Sequence, residues 1–430
     1  FSRQRYWGEP FPVQWKNGVA VALTETELPL LLPAVDSYSP GPEGEGPLAN
    51  IPSWVEKELE TNTMPGYAGS SWYFLRYMDP HNTDSFCDRK VSDYWNQVDL
   101  YIGGTEHAVG HLLYSRMWTK VLFDLGHIGF DEPFRKLLNQ GMIQGSSRFV
   151  FRKKGTQQFI SAGLVAGQEV DKLHVDVNMV DGVELDTEAF KKWRNNEYAN
   201  ASFELENGKY ICGVEVEKMS KSKFNTVNPD ILVEKYGADT FRMYEMFLGP
   251  VDQSKPWDTK GIEGVHRFIK KLWRLFFDEE KGALYNSEPA SPEALKILHR
   301  TIKKIEEDTE RFSFNTAVSA CMICVNDLAD IKCHSLEVLS PLLVLLTPYA
   351  PHVAAELWNA TGNEGSVLDA RYPVFDAKHV TESSKEYPVS INGKLRTNIS
   401  IGLDASEEEV TAIVLADTLV QKWMEGKPIK

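Results

Sequence analysis

The run VDLYIGG, followed by TEHAVG, marks a change in the pattern of apolar positions along the chain. The run itself is continuous and apolar, which is typical of a buried strand. After it the apolar residues return every four positions, at Leu113, Met117, Val121 and Leu125. That repeat predicts a helix. Gly103 and Gly104 then lie at the carboxyl end of the strand, which is where open α/β sheets bind ligands.

Two further stretches on either side of this unit differ from it in pattern. YSPGPEGEGPL is rich in proline and glycine and predicts a surface loop before a helix that begins near Pro52. From about Gly145 to Glu217, alternating stretches such as RFVFRKKG and KYICGVEVE are separated by glycine, asparagine and aspartate. This alternation predicts a small strand-rich insertion.

The part of the chain beyond Val265 predicts a helical bundle followed by a small mixed module. Helical spacing recurs in two sets, Val265, Phe268, Ile269, Leu272, Phe276 and Phe314, Ala317, Val318, Cys321, Val325, Leu328. LLVLLTPYAPHVAAELW adds a third apolar stretch. After Lys385, YPVSINGKLRTNISI predicts two strands joined at Asn392 and Gly393. A helix capped by Ser406 follows.

Composition limits the class of protein. With 430 residues, 42% of them hydrophobic, the chain can form several domains, and its longest apolar runs are too short to cross a bilayer. A soluble globular protein with no membrane partner is expected. The chain starts at Phe1 without a leader or an initiator Met, so we expect it to be a piece of a longer protein. Five irregularly placed cysteines favour a reducing, cytoplasmic location.

The charge pattern directs attention to one stretch, VEKMSKSKFNTVNPD. The chain carries a net charge of −15, yet lysines and serines are concentrated there. Such a loop can wrap an anion, and its ammonium groups would stabilise charge that grows on a departing pyrophosphate. Asn228 as a cap and Pro229 at the first helical position predict a helix behind it. A solvated turn is the alternative, and the sequence suggests no local partners for the lysines.

The order of these residues resembles a known family. Lys-Met-Ser-Lys-Ser, at residues 218–222, is the signature loop of class I aminoacyl-tRNA synthetases. Several other stretches resemble leucyl-tRNA synthetase in order and character: SRQRYWGEPFP, SSWYFLRY, YIGGTEHAVGHLLYSRMW, NQGM, YGADTFRMYEMFLGP, FNTAV and TPYAPHVAAELW. The resemblance covers nearly the whole chain. It implies activation of leucine by ATP with Mg²⁺, and transfer of leucine to tRNA(Leu).

The resemblance also implies roles for individual residues. Lys218 and Lys221 match the catalytic lysines, and Met219, Ser220 and Ser222 complete the ATP-binding loop. Gly103, Gly104 and Glu106 are expected to contact the ribose and the amino acid of the adenylate. The segment expected to meet adenine comprises Gln140, Gly141 and Met142. The leucine side chain and the aminoacyl end are expected to lie against His107 and His111.

The implied fold is α/β, the second half of a class I Rossmann-type catalytic fold with three additions. These are a β-rich insertion, an α-helical anticodon-binding-type bundle and a truncated α+β module. We predict domains at 1–144 (catalytic), 145–217 (insertion), 218–263 (lysine loop and stem-contact segment), 264–384 (bundle) and 385–430 (terminal module). Basic residues expected to contact tRNA phosphates are Arg267, Lys270, Lys271, Arg274, Lys394 and Arg396.

Some features of the family are missing. The second class I signature, His-Ile-Gly-His, does not occur at the start of a nucleotide-binding fold, and the editing domain is expected upstream of Phe1. The terminal module stops at WMEGKPIK, where another strand is expected. The chain alone is therefore predicted to have weak or no aminoacylation activity.

Several alternatives remain. A sister class I enzyme for valine, isoleucine, methionine or cysteine shares the lysine loop, and a tRNA-binding module with an incomplete nucleotide site is a second possibility. No phosphate-binding loop of the Gly-x-x-x-x-Gly-Lys-Ser/Thr type occurs. No metal site is predicted, because Cys321 lies on an apolar helical stripe with Cys324 nearby and no second pair follows. The oligomeric state is left open.

Overall fold

The computed structural model describes residues 4–381, 384–403 and 405–424. They form two compact units. The first unit consists of the residues up to Ile143 together with Asp252–Lys255, and the second consists of Gln144–Val251 and the residues from Pro256 onward. Each unit is described separately below. Within the described ranges, no helix combines the length and the apolar character that a membrane span requires.

The first unit contains the strand–turn–helix arrangement that the sequence predicts. Tyr101–Gly104 pairs in parallel with Leu137–Gln140, and the helix Leu113–Asp124 lies between them in the chain. Its other helices and strands are Pro52–Val55, Tyr73–Met78, Arg89–Trp95, Val13–Lys16 and Val19–Ala22. The short turn Thr105–His107 and the π-helical stretch Ala108–Leu112 connect the strand Tyr101–Gly104 to its helix.

The apolar side chains that repeat along that helix do not form its buried face. Leu113 is 54% exposed and Leu125 is 67% exposed, whereas the buried side chains of the helix are Ser115 and Thr119. The core of this part of the unit is formed instead by Phe74, Leu75, Ile128 and Phe130. The four-residue spacing therefore predicts the helix correctly without identifying its packed side.

A sheet dominates the start of the second unit. The strand Ile143–Lys153 pairs antiparallel with Gly213–Lys218, with Val170–Val175 and with Gln158–Ile160. Ser202–Glu204 extends the sheet in parallel beside Gln158–Ile160. The helix Thr187–Asn196, which the alternating pattern did not predict, packs Phe190 into this core. A small hairpin, Val180–Asp181 and Glu184–Leu185, completes the region.

Helices predominate in the second unit between Pro229 and Ala360. They are Pro229–Tyr236, Ala238–Phe247, Ile262–Phe276, Pro292–Glu310, Phe314–Asp330, Leu336–Leu346 and Pro351–Ala360. Short strands lie at Phe277–Asp278 and Gly282–Ala283, and a further two-residue strand, Lys255–Pro256, contains the last residue of the first unit. The predicted stripes are confirmed in part, because Val265, Phe268, Leu272 and Cys321 are buried, while Ile269 is only partly covered.

The terminal module has the predicted hairpin. Ser384–Ile391 pairs antiparallel with Lys394–Gly402, and the turn residues Asn392 and Gly393 have φ of 53° and 75°. Both values suit a two-residue turn of the type that Asn-Gly favours. The helix Glu407–Ala416 begins with Ser406 as its cap, as predicted, and Thr418–Met424 follows. The expectation about WMEGKPIK lies mostly outside the described residues.

Candidate functional site

Two of the predicted nucleotide-binding segments meet at the carboxyl ends of parallel strands. Gly103 is the register partner of Asn139, and Gly104 is the partner of Gln140. A Cβ atom at Gly104 would lie 2.2 Å from a carboxylate oxygen of Glu106, so the glycine leaves room for that carboxylate. Glu106 is exposed. A carboxylate at a strand end can accept two hydroxyl groups of a ribose.

Gly141 permits a close approach of backbone to backbone. A Cβ atom there would lie 2.0 Å from the carbonyl carbon of Gln253. The Met142 amide donates to Ser254 Oγ at 3.1 Å, and the Lys255 amide donates to the Met142 carbonyl at 3.0 Å. The main chain after Gln140 is therefore fixed, while the Gln140 side chain is exposed.

His111 belongs to a polar cluster in the first unit. Its Nδ1 lies 3.2 Å from Ser70 Oγ, and its Nε2 shares a hydrogen bond with the hydroxyl of Tyr101. Tyr73 continues the chain of contacts, with 2.9 Å between the two tyrosine hydroxyl oxygens. Burial and then the neighbouring His107 lower the pKa of His111, which favours a neutral imidazole at pH 7. Burial also raises the pKa of Tyr101.

His107 has a different environment from His111. Its side chain is 53% exposed and its Nε2 lies 4.0 Å from a carboxylate oxygen of Glu106. The two histidines therefore do not form one matched pair. Both lie on the 3₁₀ and π-helical connection, and such irregular helical turns often occur at functional sites.

Sequence reasoning missed one polar group at these strand ends. The side-chain oxygen of Asn139 is buried and has no hydrogen-bond partner in the part of the chain that the structure describes. Such an orphan acceptor costs free energy unless a ligand or water donates to it. Tyr73 and Ser70 were also missed, since the stretch SSWYFLRY reads equally well as core. A polar residue directly before the predicted Gln140 was the only available signal.

The lysine loop leaves the sheet at Lys218. Lys221–Lys223 form one 3₁₀ turn, and Phe224 has a left-handed conformation with φ of 51°. Asn225, which is 1% exposed, closes the loop, because its Oδ1 accepts from the Ser220 amide at 2.9 Å. Its Nδ2 donates to Ser147 Oγ at 2.9 Å and to the Lys218 carbonyl at 3.3 Å. Asn228 and Pro229 begin the next helix as predicted.

The three lysines of this loop differ in their contacts. Within the described ranges, the exposed side chains of Lys218 and Lys221 make no ion pair or hydrogen bond. Lys223 Nζ, in contrast, lies 2.7 Å from Glu217 Oε1. The expectation that the loop lysines lack local partners is therefore wrong for Lys223. Glu217 and Lys223 are six residues apart in the chain, and that spacing does not predict an ion pair.

Four basic residues predicted to contact tRNA line one cleft in the second unit. It has a volume of about 720 Å³, and its basic side chains are Arg267, Lys270, Lys271, Arg274, Lys332 and His334. Lys332 and His334, which follow the end of the helix Phe314–Asp330, were not predicted from the sequence. Lys271 Nζ donates to Asn326 Oδ1 at 2.6 Å, and a backbone carbonyl lies 2.8 Å from His334 Nδ1. The remaining basic groups make a local positive surface on an acidic chain.

The two predicted basic residues of the terminal module differ. Lys394 is exposed beside the hairpin turn. The guanidinium carbon of Arg396 lies 3.7 Å from the centre of the Trp423 ring, and Arg396 Nε is buried without a hydrogen-bond partner among the described residues. A stacked arginine of this kind packs the module together. Only Lys394 extends into solvent.

The cysteines belong to the core. Cys321 and Cys324 are 0% and 1% exposed, and burial raises the pKa of both thiols. This confirms the interpretation of Cys321 as a packing residue. In the described ranges no cluster of three or more histidine, cysteine, aspartate or glutamate side chains is arranged to hold a metal ion.

Comparison with known proteins relates the chain to one enzyme family. It is 56% identical to the leucine–tRNA ligase of Cytophaga hutchinsonii and 55% identical to that of Bacteroides thetaiotaomicron. Both alignments cover 100% of this chain and 47% of the relative, so the chain spans about half the length of these curated proteins. Residues 292–412 match the family described as the anticodon-binding domain of tRNA ligase.

A solved structure is similar along the full chain. It is described as the ternary complex of Agrobacterium radiobacter K84 agnB2 LeuRS, tRNA and LeuAMS. The similarity has a TM-score of 0.64 at 29% sequence identity, and it covers 100% of this chain and 50% of that one.

Proposed function

Because the chain belongs to the leucyl-tRNA synthetase family along its whole length, we propose that it supplies about half of a leucine–tRNA ligase. The reaction joins leucine to ATP, with Mg²⁺ bound to the nucleotide, and then transfers leucine to tRNA(Leu). In the first step a carboxylate oxygen of leucine forms a bond to the α-phosphorus of ATP. The bond from that phosphorus to the bridging oxygen breaks, and pyrophosphate leaves with the electron pair.

The observation that carries the proposal is the state of the lysine loop. Lys218 and Lys221 belong to an unaltered Lys-Met-Ser-Lys-Ser sequence, and their side chains have no partner among the residues that the structure describes. Asn225 fixes the loop at its base. Ammonium groups held in this way can bind the departing pyrophosphate more strongly than they bind intact ATP, which lowers the barrier. Met219, Ser220 and Ser222 provide the remainder of the loop surface.

The first unit supports a complementary role in binding the adenylate. We assign the ribose and the amino acid to Gly103, Gly104 and Glu106, and adenine to the backbone of Gln140, Gly141 and Met142. The leucine side chain and the aminoacyl end are assigned to His107 and His111. The neutral state favoured for His111 suits a contact with an apolar side chain, because no charge must be desolvated.

The finer domain division forms part of the proposal. We take residues 1–144 as the second half of a Rossmann-type fold, supported by the parallel pair Tyr101–Gly104 and Leu137–Gln140. Residues 145–217 are an insertion, and 218–263 include the lysine loop. The ranges 264–384 and 385–430 are taken as the bundle and the terminal module. A cytoplasmic location is proposed on the cysteine pattern.

Leucine-dependent exchange of pyrophosphate into ATP tests the catalytic proposal. The chain is assayed alone and mixed with a polypeptide that supplies the other half of a curated relative. We expect exchange in the mixture and little or none with the chain alone. Lys221→Ala should lower it by about tenfold to a hundredfold, because it removes a charge-assisted contact. Lys16→Ala, at an exposed lysine of the first unit, is the matched control.

The outcomes of this assay separate the alternatives. Exchange that depends on valine, isoleucine or methionine instead of leucine would identify a sister enzyme. Unchanged exchange in the Lys221→Ala variant would contradict the assigned role of the loop. A second function, tRNA binding without catalysis, is favoured by the basic cleft and by the anticodon-binding match. Tight tRNA binding with no exchange in the mixture would support it.

A further inference from the structure

Glu217 occupies the position directly before the first lysine of the loop. Its carboxylate accepts hydrogen bonds from Lys223 Nζ at 2.7 Å and from His174 Nε2 at 2.8 Å. The side chain of Ser147 also stabilises the ionised carboxylate. The side chain is 21% exposed. Lys223, Ser147 and His174, in that order of effect, hold the pKa of Glu217 at about 2, so the carboxylate is ionised at neutral pH.

The three partners of Glu217 come from three separate segments. Ser147 belongs to the central strand Ile143–Lys153, and His174 belongs to its neighbour Val170–Val175. Lys223 lies at the far end of the lysine loop. One carboxylate therefore links the entrance of the loop to its exit and to two strands of the sheet beneath it.

Asn225 makes a second link at the same place. It bonds to the Ser220 amide, to the Lys218 carbonyl and to Ser147 Oγ, and Ser147 is fully buried. Phe224 between the two links lies edge-on to Trp193, with ring centres 5.0 Å apart. The Phe224 carbonyl also accepts from the Val177 amide at 3.1 Å. The exit of the loop is thus fixed on the strand-rich insertion.

These contacts divide the lysines into two kinds. Glu217 neutralises Lys223 within the protein, whereas Lys218 and Lys221 keep their charge available. Removing the Glu217 charge would release Lys223 and would weaken the hold on both ends of the loop. The unpaired lysines would then sample more backbone conformations, and more entropy would be lost when an anion ordered them.

We propose that Glu217 is a positioning residue for pyrophosphate recognition: it holds Lys223 and His174 so that the loop presents Lys218 and Lys221 to the anion. This inference rests on the proposed function. Glu217 itself does not contact the ligand, since a carboxylate would repel it. The insertion takes part through His174, which gives that strand-rich region a role in the nucleotide site.

The chain contains a matched control for this proposal. Glu215 lies two residues earlier on the same strand and pairs with Lys172. That ion pair involves no residue of the lysine loop. Glu217→Gln and Glu215→Gln therefore remove the same charge from the same strand, and only the first affects the loop. Lys223→Gln removes the other partner of the ion pair.

The test measures two properties of the full chain. The first is amide hydrogen exchange across residues 218–225 without ligand, where Glu217→Gln should speed exchange by about tenfold and Glu215→Gln should leave it unchanged. The second is binding of magnesium pyrophosphate by calorimetry, which Glu217→Gln should weaken by about fivefold or more. Glu217→Asp should recover part of both effects. Lys223→Gln should reproduce both effects. In the double variant with Glu217→Gln, hydrogen exchange and pyrophosphate binding should change no more than in Glu217→Gln alone.

The possible results separate this inference from the proposed function. If the unaltered chain binds no pyrophosphate, this inference fails, whereas the proposed function is decided separately by leucine-dependent exchange in the mixture with the other half. If the unaltered chain binds and Glu217→Gln binds equally well, the inference alone is wrong, even when hydrogen exchange is faster. If Glu217→Gln does not fold, the comparison of Lys223→Gln with Glu215→Gln decides the question by the same criteria.

Discussion

At the scale of single residues, Asn225 is the buried and closely packed residue of the lysine loop. It is 1% exposed, and its backbone oxygen lies 2.6 Å from the place where a Cβ atom of Gly145 would be. Asn225→Ala removes the bonds to the Ser220 amide and to Ser147 Oγ, which leaves buried polar groups unpaired. We expect a loss of about 1–3 kcal/mol in the free energy of unfolding. Urea denaturation measures it, with Thr226→Ala, at an exposed neighbour, as the control.

An effect of Asn225→Ala no larger than that of Thr226→Ala would show that the loop does not depend on these bonds. Asn225→Asp refines the test, because the aspartate keeps an acceptor for the Ser220 amide and loses the donor to Ser147. The free energy of unfolding of Asn225→Asp should lie between that of Asn225→Ala and that of the unaltered chain.

The residues proposed for the candidate site could be named from the sequence where a local pattern marks them. Lys218, Lys221, Gly104 and Gln140 could be selected because a motif or a strand end marks them. Contacts that join distant parts of the chain could not be found in this way. His174 is 43 residues from Glu217, and the position of Lys223 relative to Glu217 depends on the 3₁₀ turn between them.

At the scale of elements, the segment after Phe375 packs against the helix Pro292–Glu310 through two histidines, one from each element. The rings of His299 and His379 stack with centres 4.4 Å apart, and His299 Nδ1 accepts from the Asp376 amide at 3.1 Å. Burial and then His379 lower the pKa of His299. Asp376 opposes this shift, Lys378 adds to it, and Lys303 lies over the ring of Phe375 nearby.

This arrangement predicts that stability falls in mild acid. The unfolded chain takes up a proton at His299 near its ordinary pKa of about 6.5, while the folded chain does so only at lower pH. The free energy of unfolding should therefore fall as pH drops below about 6.5, with no further loss below the folded pKa.

His299→Asn keeps an acceptor in place of Nδ1 and should flatten this dependence. Urea midpoints between pH 7.5 and 5 measure it, with His81→Asn as the exposed control. An equal pH dependence in His299→Asn would exclude His299 as its source.

The elements themselves were largely predictable, with two instructive exceptions. The helix Thr187–Asn196 was missed because Trp193, Arg194 and Asn195 depart from helical geometry and Phe190 is its only buried side chain. The helix Leu113–Asp124 was predicted from an apolar stripe that turns out to be exposed. Periodicity indicates that a segment is helical, but it does not indicate which element covers each face.

At the scale of the whole molecule, the distribution of charge matters more than its sum. The chain carries a net charge of −15, so its average field repels a polyanion such as tRNA. The basic cleft opposes that field locally with Arg267, Lys270 and Arg274 from one helix and Lys332 from another part of the bundle. Screening by salt acts on the repulsion and on the local attraction together.

Salt dependence therefore tests whether tRNA uses this cleft. Each phosphate contact that a basic residue makes displaces counterions, so removing one contact should reduce the slope of log K against log salt by about 1. The double variant Lys270→Ala with Arg274→Ala should weaken tRNA binding and reduce the slope by about 2. Lys16→Ala, outside the bundle, also removes a positive charge from the chain and should leave the slope unchanged. If both variants weakened binding alike without changing the slope, only the overall charge would be acting, and the cleft would not be the binding surface.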